Sequence, residues 1–336
     1  MRKPLFTALA LAALLSACGG SVSTVNPFRP TRMVVLGDEN SALVKNDDGQ
    51  GRKYTVNYVD TTSGAVSCDG GNLLWVQAVA RYYNDLSGSN TLVFDACRPT
   101  TGDTTAPATV DMQAAAGTTT AQVIAQLGAL TTAAQAAGAT PDKQLVTVLV
   151  GQNDIIAAYK TFDGSNQAAL VDSMKALGAQ MGQAVSSYIS AGGKLLMAYP
   201  VDIEYSPWAL AEAATPAVAT STTGVDRQAL IRDLGNAWRT GFYGAAPVNG
   251  RGLALVPNGL IDQYANSSNP ASSYNLSNIK DAACTDASVG TACTDTTLQS
   301  GATALTWMWA SSTVPAQRFQ VDLGNLALSR LVNNPL

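Results

Sequence analysis

Acidic side chains follow two apolar runs of the sequence, at points where a strand would end in a turn. Asp38 and Glu39 lie in the stretch VVLGDENS, and Asp154 lies in the stretch LVTVLVGQND. Clustered carboxylates can raise one another's pKa and share acid and base work, or they can hold a cation. Asp and Asn side chains also cap helices and bind turn backbone without doing chemistry. All of these roles are open at the three positions.

A serine beside the first acidic pair offers a different chemistry. Ser41 and Lys45 are four residues apart, so on a helix they would share one face, and a buried lysine can activate a hydroxyl. The sequence KNDDGQG that begins at Lys45 does not indicate burial. The usual activating base is histidine, and the whole chain contains none. A conventional Ser-His-Asp triad is therefore excluded.

The composition indicates one globular domain. The chain has 336 residues, of which 46% are hydrophobic and 13% are charged, so it can bury a substantial core. Its formal net charge is -4, and Lys and Arg do not cluster along the sequence. That pattern lacks the basic footprint of nucleic-acid binding, so we predict no nucleic-acid partner. We predict no cofactor, and the oligomeric state is left open.

The N-terminus has the features of a bacterial secretion signal. Residues 1–3 give a positive start, and residues 5–15 are apolar but too few to span a bilayer as a mature helix. The sequence LSACG that follows resembles a lipobox, in which Cys18 is acylated. We expect a signal peptide over residues 1–17, a Ser-, Thr- and Pro-containing tether over residues 18–30, and a domain over residues 31–336. By resemblance to enterobacterial sorting, Gly19 after the acylated cysteine favours the outer membrane of the cell envelope.

Four cysteines remain after Cys18, an even number that favours disulfides in an exported chain. Cys284 and Cys293 bracket a short polar loop, so a local bridge is expected there. Cys68 and Cys97 would then pair by elimination. Zinc binding by four thiolates is the alternative, but the chain has neither C-x-x-C spacing nor a histidine.

Short apolar runs alternate with amphipathic helical patterns along the domain. Strands are predicted over residues 32–36, 91–94, 144–150, 194–198 and 253–256, and helices over residues 73–86, 119–137, 167–190, 226–242 and 317–331. Thr- and Ala-rich stretches over residues 100–120 and 211–223 are predicted to be surface loops or helix starts. The alternation predicts a three-layer α/β/α fold with a doubly wound parallel sheet. Such sheets place their sites at the carboxyl ends of strands.

Six blocks of the domain, in order, resemble the SGNH/GDSL hydrolase family in its lipase/esterase branch. These blocks are VVLGDENS, GGNLLWVQAVARYYN, VLVGQNDII, AYPVDIEYSPWA, SSYNLSNIKDAAC and WMWASSTVPAQ. The resemblance implies the doubly wound, flavodoxin-like fold of that family. It also implies an ester-hydrolase ancestry, with a small ester, acyl or carbohydrate ligand as the expected class.

The resemblance also shows what has changed at the catalytic positions. Glu39 stands where the family has its nucleophilic serine, while Ser311 and Val314 stand where it has the aspartate and histidine. Asn153 matches the side-chain donor of the family's oxyanion hole, and Gly70 or Gly71 matches a backbone donor. Asp38 and Asp154 match positions that hold the fold together. Glu39 is thus expected to fill the vacated site, bonded to Asn153 or to backbone N–H groups at the next helix.

The tryptophans near the last block have two interpretations. Trp307 and Trp309 lie on one side of an extended segment before Ser311, where stacking on a sugar or acyl chain is possible. Core packing is the simpler role, as for Trp75 and Trp238 within predicted helices.

Three functions follow from these observations. The preferred prediction is an envelope lipoprotein, anchored to the membrane by its lipid, that has lost catalysis and binds a ligand or partner through the former ester-binding cleft. The second is an active esterase with an unconventional site built from Asp38, Glu39, Ser41 and Asp154. The third is a structural or assembly lipoprotein in which the cleft has no role.

Overall fold

The computed structural model describes residues 28–46, 50–89, 91–98, 108–141, 143–214, 226–247 and 250–333. The predicted signal peptide, Cys18 and most of the predicted tether lie outside these residues. Where the tether was predicted to end, Phe28 already packs on the core and Pro30 is buried. Within the described residues, none of the helices combines the length and apolar character that crossing a bilayer would require.

A parallel sheet of five strands forms the centre of the domain. Its strands, from one edge to the other, are β6 (Val110–Met112), β1 (Arg32–Gly37), β7 (Gln144–Leu149), β8 (Lys194–Ala198) and β9 (Leu253–Val256). In order along the chain this is 2-1-3-4-5, the doubly wound flavodoxin-like order. The predicted fold class is confirmed. The chain reverses direction across the sheet between β1 and β7, so the carboxyl ends of these two strands form the topological switch point.

Helices cover both faces of this sheet. They are α1 (Trp75–Ser87), α2 (Thr120–Ala136), α3 (Gln152–Lys160), α4 (Gln167–Ser190), α5 (Pro207–Ala214), α6 (Arg227–Ala245), α7 (Leu260–Ala265), α8 (Pro270–Tyr274) and α9 (Gln317–Asn333). The five long helices appear where they were predicted. The short helices α3, α5, α7 and α8 were not predicted, because they offer too few turns for a clear helical period.

The alternation of side chains along β1 divides the core into two layers. Met33 and Val35 pack with α1 and α9 on one face, whereas Val34 and Leu36 pack with α2, α4 and α6 on the other. Successive strand residues point to opposite faces, which explains why the apolar run is continuous. The resulting frame fixes the strand ends from which the candidate site is built.

The second strand of the sheet does not lie where it was predicted. Thr91–Phe94 was expected to be a strand, but the sheet strand is Val110–Met112, in the middle of the stretch 100–120 that was predicted to be a surface loop or helix start. The Val93 carbonyl accepts hydrogen bonds of 3.2 Å from the N–H groups of Thr109 and Val110, so the apolar run supports the strand without joining it. The β-branched and aromatic run gave the stronger strand signal, and tertiary pairing overrode it.

Three two-stranded ribbons extend from the main sheet. They are β2 (Leu43–Lys45) with β3 (Gly51–Lys53), β4 (Tyr58–Val59) with β5 (Val66–Ser67), and β10 (Asn278–Ala282) with β11 (Trp307–Trp309). Disulfides Cys68–Cys97 and Cys284–Cys293 close loops in these regions, which confirms both predicted bridges.

Candidate functional site

The turn after β1 places Glu39 at the switch point. Gly37 ends β1 with a φ of 131°, and a Cβ there would lie 2.0 Å from the Leu149 carbonyl oxygen of β7, so only glycine fits. Asp38 N–H then donates to that carbonyl (3.1 Å), and Ser41 N–H donates to the Asp38 carbonyl (3.0 Å), which closes the turn. The tight turn leaves the Glu39 side chain pointing at the start of α3.

Three donors hold the Glu39 carboxylate. Its Oε1 accepts from Gln152 Nε2 (3.0 Å), and its Oε2 accepts from Asn153 Nδ2 (3.0 Å) and from the Gly117 backbone N–H (3.1 Å). Glu39 is only 8% exposed, so most of its negative charge is compensated by these N–H groups rather than by water. One side-chain amide and one backbone N–H meeting on a single oxygen is the donor arrangement of an oxyanion hole. In this chain a carboxylate from the protein itself occupies it.

Asp38 and Asn40 lie under the Glu39 turn and are fully buried. Asp38 Oδ1 accepts from the Asn40 backbone (3.0 Å) and side chain (2.9 Å), while Asn40 Nδ2 also donates to Gln152 Oε1 (3.1 Å). Burial raises the pKa of Asp38 well above its usual range, helped by the nearby charges of Glu39 and Asp154 and opposed by the Asn40 hydrogen bonds. Its Oδ2 has no partner among the described residues.

Asp154 supports the neighbouring loop rather than Glu39. Its Oδ2 accepts from the backbone N–H (2.8 Å) and hydroxyl (2.7 Å) of Thr120, and the Thr120 hydroxyl accepts from Trp238 Nε1 (3.1 Å). Burial raises the pKa of Asp154, and the Thr120 hydrogen bonds oppose this. Asp154 therefore ties the start of α3 to the start of α2, as expected of a residue that holds the fold together.

The backbone donor of the hole was assigned to the wrong glycine. Gly70 N–H donates to Ser67 Oγ (2.9 Å) and the Gly71 carbonyl accepts from Lys53 Nζ (3.2 Å), so both belong to another loop. The donor is Gly117, in the loop between β6 and α2, with a φ of 76°. A glycine after a short strand and before a helix was the available signal. The surrounding Ala and Thr residues led to the prediction of a surface loop or helix start, so the short strand was not recognised.

Gln152 is a second site residue that sequence reasoning missed. It is fully buried and bridges Glu39 Oε1 and Asn40 Nδ2. Within Gly-Gln-Asn-Asp it holds the unspecified position of the motif, so nothing in the resemblance marked it.

Ser41 and Lys45 do not form a catalytic pair. Ser41 is fully buried, and its Oγ accepts from Trp75 Nε1 (3.0 Å). Lys45 ends strand β2 rather than a helical turn, and its Nζ donates to Asp95 Oδ2 (3.4 Å) near the surface. The expected shared helical face is absent because the chain turns at residues 38–41 and then extends.

The two remaining triad positions belong to a compact turn after β11. Val314 N–H donates to Ser311 Oγ (3.3 Å), and the Val314 carbonyl accepts from the N–H groups of Ala310 (2.8 Å) and Ser311 (3.2 Å). Val314 is buried and offers no side-chain donor or acceptor. The Ser311 hydroxyl is bound within its own turn.

The tryptophans divide between core and rim. Trp75, Trp238 and Trp309 are fully buried, which gives them packing roles. Trp307 is half-buried at the start of β11, and Trp208 is half-buried with an edge-to-face contact to Tyr159 at 5.3 Å between ring centroids. The stacking role suggested for the Trp307 and Trp309 pair is thus open to Trp307 alone.

Further acidic residues follow β8 and β9 at the same edge of the sheet. Asp202 is ion-paired to Arg239 and accepts from the Asp262 backbone N–H (3.3 Å). Glu204 is 5% exposed, and burial together with the charge of Asp202 raises its pKa from 4.5 to about 7. Among the described residues, no group of three or more His, Cys, Asp or Glu side chains is arranged to hold a metal ion.

A buried lysine organises the loop before α1. Lys53 is fully buried, and its Nζ donates to the carbonyls of Cys68 (3.1 Å), Gly71 (3.2 Å) and Asn72 (2.9 Å). Burial lowers the pKa of Lys53 to about 8, opposed by the charge of Asp69. An ammonium with three carbonyl acceptors is a structural cation that fixes this loop.

Comparisons with known proteins give similarity in fold. No protein-family model and no curated protein matches the sequence. Among solved structures, the chain is similar to an extracellular lipase from Streptomyces rimosus (15% identity, TM-score 0.40, 90% of this chain and 99% of that one). It is also similar to an alpha/beta hydrolase from the metagenome of Lake Arreo (12%, 0.42, 89% and 94%) and to a lipolytic G-D-S-L protein from Veillonella parvula (11%, 0.35, 89% and 96%). Identities and scores this low assign no residue a role. The doubly wound fold itself follows from the strand order, and the resemblance to SGNH/GDSL hydrolases lies in the Gly-Asp and Gly-Gln-Asn-Asp blocks at the ends of β1 and β7.

Proposed function

We propose that this chain of SGNH/GDSL-hydrolase fold is a non-catalytic lipoprotein of the cell envelope, which binds a ligand or partner through the former ester-binding cleft. The observation that carries the proposal is the Glu39 carboxylate, held by Gln152, Asn153 and the Gly117 N–H at the nucleophile position. A carboxylate in this position resembles a bound acid product. It competes with any substrate carbonyl for the same donors.

The absence of an activating base supports the same proposal. A serine, or a water molecule that attacks an ester, needs a group that takes its proton near neutral pH, and the chain has no histidine. Glu39 is the carboxylate held in the hole, but both of its oxygens already accept hydrogen bonds from the N–H groups of Gln152, Asn153 and Gly117. The alternative of an active esterase that uses Ser41 has no support in the contacts of that serine, which is buried against Trp75.

The decisive test is ester hydrolysis by the purified mature protein. We expect no turnover of short-chain nitrophenyl esters above the rate of the matched variant Asn153→Ala, and no covalent labelling by a fluorophosphonate. Turnover that Glu39→Ala abolishes would make Glu39 catalytic and the proposal wrong. A labelled peptide would identify a serine nucleophile directly.

Restoration of the triad tests the assignment of the positions. The variant Glu39→Ser, Ser311→Asp, Val314→His supplies nucleophile, orienting acid and base to an existing donor set. We expect weak esterase activity that is lost when Asn153→Ala is added. A folded but inert triple variant would contradict the placement of Ser311 and Val314 opposite Glu39.

The lipid anchor is a separate part of the proposal. It is supported by the lipobox-like sequence around Cys18, and outer-membrane sorting by the Gly19 that follows it. Mass spectrometry of the N-terminal peptide of the mature protein should show diacylglycerol and an amide-linked acyl chain on Cys18. An unmodified N-terminus would refute the anchor and leave the assignment of the cleft unaffected.

A further inference from the structure

Basic side chains collect at the amino edge of the sheet, opposite the Glu39 site. Each of four adjacent positions at or before a strand start carries a cation: Arg32 at β1, Lys143 before β7, Lys194 at β8 and Arg251 before β9. Arg29 precedes β1, and Arg330 lies in the last turn of α9. All but Lys194, which is half-buried, are exposed. We call Arg29, Arg32, Lys143, Lys194 and Arg251 the basic edge.

Backbone pairing brings these residues together. The Lys143 carbonyl accepts from the N–H groups of Thr31 (3.0 Å) and Arg32 (3.4 Å), and Lys194 Nζ donates to the Arg251 carbonyl. Four neighbouring strands at roughly 4.8 Å spacing confine the cations to a row of about 15 Å. Burial, together with the positive charge of Arg251, lowers the pKa of Lys194, as expected for neighbouring cations. At this edge of the sheet, the acidic residue among those that the structure describes is Asp85, in the last turn of α1.

The opposite edge of the sheet is acidic. Asp38 and Glu39 follow β1, Asp154 follows β7, Asp202 and Glu204 follow β8, and Asp262 lies beyond β9. Cationic side chains therefore mark one edge of the sheet and carboxyl groups the other. The Glu39 site follows β1, whereas the chain enters the domain before β1, so the two lie at opposite edges of the sheet.

Helix α1 runs from the Glu39 site at one edge of the sheet to the basic edge at the other. It begins beside the site, where Trp75 Nε1 donates to Ser41, and it ends beside Arg29, whose Nη1 donates to the Leu86 carbonyl (3.5 Å). Its thirteen residues span about 20 Å at 1.5 Å per residue. The exposed apolar side chains Leu86 and Val332 lie in the last turns of α1 and α9, at the same end as Arg29.

We infer that the basic edge is a docking surface for an anionic phospholipid bilayer, and that the Glu39 site consequently faces away from the membrane. The inference rests on the lipid anchor of the proposed function. This orientation identifies the partner of the Glu39 site as a molecule that arrives from the aqueous side, rather than a lipid of the anchoring bilayer.

The length of the tether favours this orientation. Nine residues lie between Cys18 and Phe28, which is already packed on the domain. If these residues form the tether predicted from the sequence, a random-coil linker of that length would have a root-mean-square span of about 17 Å. With the basic edge towards the bilayer such a span would suffice, whereas with the Glu39 site towards the bilayer the predicted tether would also have to pass the full height of the sheet. Each basic residue near an anionic surface adds attraction to the first arrangement.

Hydrogen exchange on the membrane-bound protein tests the inference. The mature lipid-modified protein is reconstituted in vesicles of phosphatidylcholine alone and in vesicles with about one third phosphatidylglycerol. We expect slower amide exchange around Lys143, Lys194 and Arg251 in the anionic vesicles only, and unchanged exchange around Glu39 and Asn153. The docked population should fall roughly fivefold for each neutralised charge, hence about a hundredfold for Lys143→Gln, Lys194→Gln, Arg251→Gln.

A matched variant and a folding check keep the result interpretable. Lys160→Gln with Lys175→Gln removes exposed cations elsewhere and should leave the protection unchanged. The double variant Lys143→Gln, Arg251→Gln retains the Lys194 hydrogen bond, so it substitutes for the triple variant if that one is unstable.

Several outcomes would overturn the docking surface. These are equal exchange in both vesicle types, protection at the Glu39 turn instead, or binding of a polyanion such as heparin without any vesicle effect, which would assign the edge to an acidic macromolecule. If Cys18 proves unmodified but the protein still sediments with anionic vesicles, the docking surface stands and only the anchor fails.

Discussion

Removal of the Glu39 carboxylate should leave an unfilled anion site. In Glu39→Ala, the side-chain N–H groups of Gln152 and Asn153 and the backbone N–H of Gly117 lose their shared acceptor. Because these donors converge on one position, a small carboxylate from solution can replace the missing one. The variant should therefore be less stable than the native protein and should regain stability in acetate or formate.

The magnitude follows from the contacts. Hydrogen bonds to a charged group contribute about 1.5 to 3 kcal/mol each when the donors would otherwise be orphaned. Glu39 itself is buried, but Asn153 is half-buried and Gly117 is exposed, so water can reach the vacated donors. The repulsion between the Glu39 charge and Asp38 is also relieved. We expect a net loss of about 1 to 3 kcal/mol. Acetate at ten times its dissociation constant would return about 1.4 kcal/mol, a rise of roughly 2 to 4 °C in the unfolding temperature.

Thermal unfolding in sodium acetate, against sodium chloride of equal ionic strength, measures this effect. Glu39→Gln is the matched control. Its amide fills the hole, but its NH2 group faces N–H donors of the hole and cannot accept their hydrogen bonds. That variant should be destabilised without responding to acetate. Equal stability of Glu39→Ala and the native protein, or an equal acetate response in both, would refute the assignment of Glu39 as the occupant of the hole.

Three further predictions concern the surrounding structure. Because the pKa of Glu204 is raised from 4.5 to about 7, its contribution to stability is present below pH 4.5 and lost as the pH rises to 7. The loss is about 3 kcal/mol, and Glu204→Gln should remove this part of the pH dependence in urea unfolding; an unchanged profile would contradict it. Lys53→Met leaves three carbonyls without their donor and should lower the free energy of unfolding by about 3 kcal/mol or more, a result that a change under 1 kcal/mol would refute. Loss of the Cys68–Cys97 bridge, with its 29-residue separation, should destabilise by about 3.6 kcal/mol, against about 2.6 kcal/mol for the 9-residue Cys284–Cys293 bridge; the reverse order would argue against a loop-entropy origin.

The sequence specified the frame of the site because strand ends are marked by local chemistry. The continuous apolar run before Gly37 and the run before Gly151 each predict a buried parallel strand, and the polar residues after them predict the edge at which they meet. Asn153 and Glu39 are 114 positions apart, yet parallel pairing of β1 with β7 brings their side chains within 3.0 Å. Here the pattern and the topology agree.

Other parts depend on contacts that no local pattern contains. Gly117 becomes a donor to Glu39 because β6 pairs beside β1, and β6 has only three residues within a Thr- and Ala-rich stretch. The basic edge has the same origin. Lys143, Lys194 and Arg251 are distant from one another in sequence and form no charge run, but each comes at or just before the start of a neighbouring strand. A parallel sheet therefore gathers charges that a linear search for clusters overlooks.

The presence of Asn153 does not by itself indicate catalysis. An oxyanion hole without an acceptor would leave the Asn153 amide and the Gly117 N–H to water at the edge of the core, whereas a carboxylate at residue 39 satisfies both on one oxygen. In turn, the donors give the Glu39 carboxylate the hydrogen bonds that it loses with water at 8% exposure. Glu39 and the donor set thus stabilise each other, and this mutual dependence is sufficient to keep the Gly-Gln-Asn-Asp turn intact without any ester to hydrolyse. The motif that marks an esterase in the sequence acts, in this structure, as the binding site of the protein's own acid.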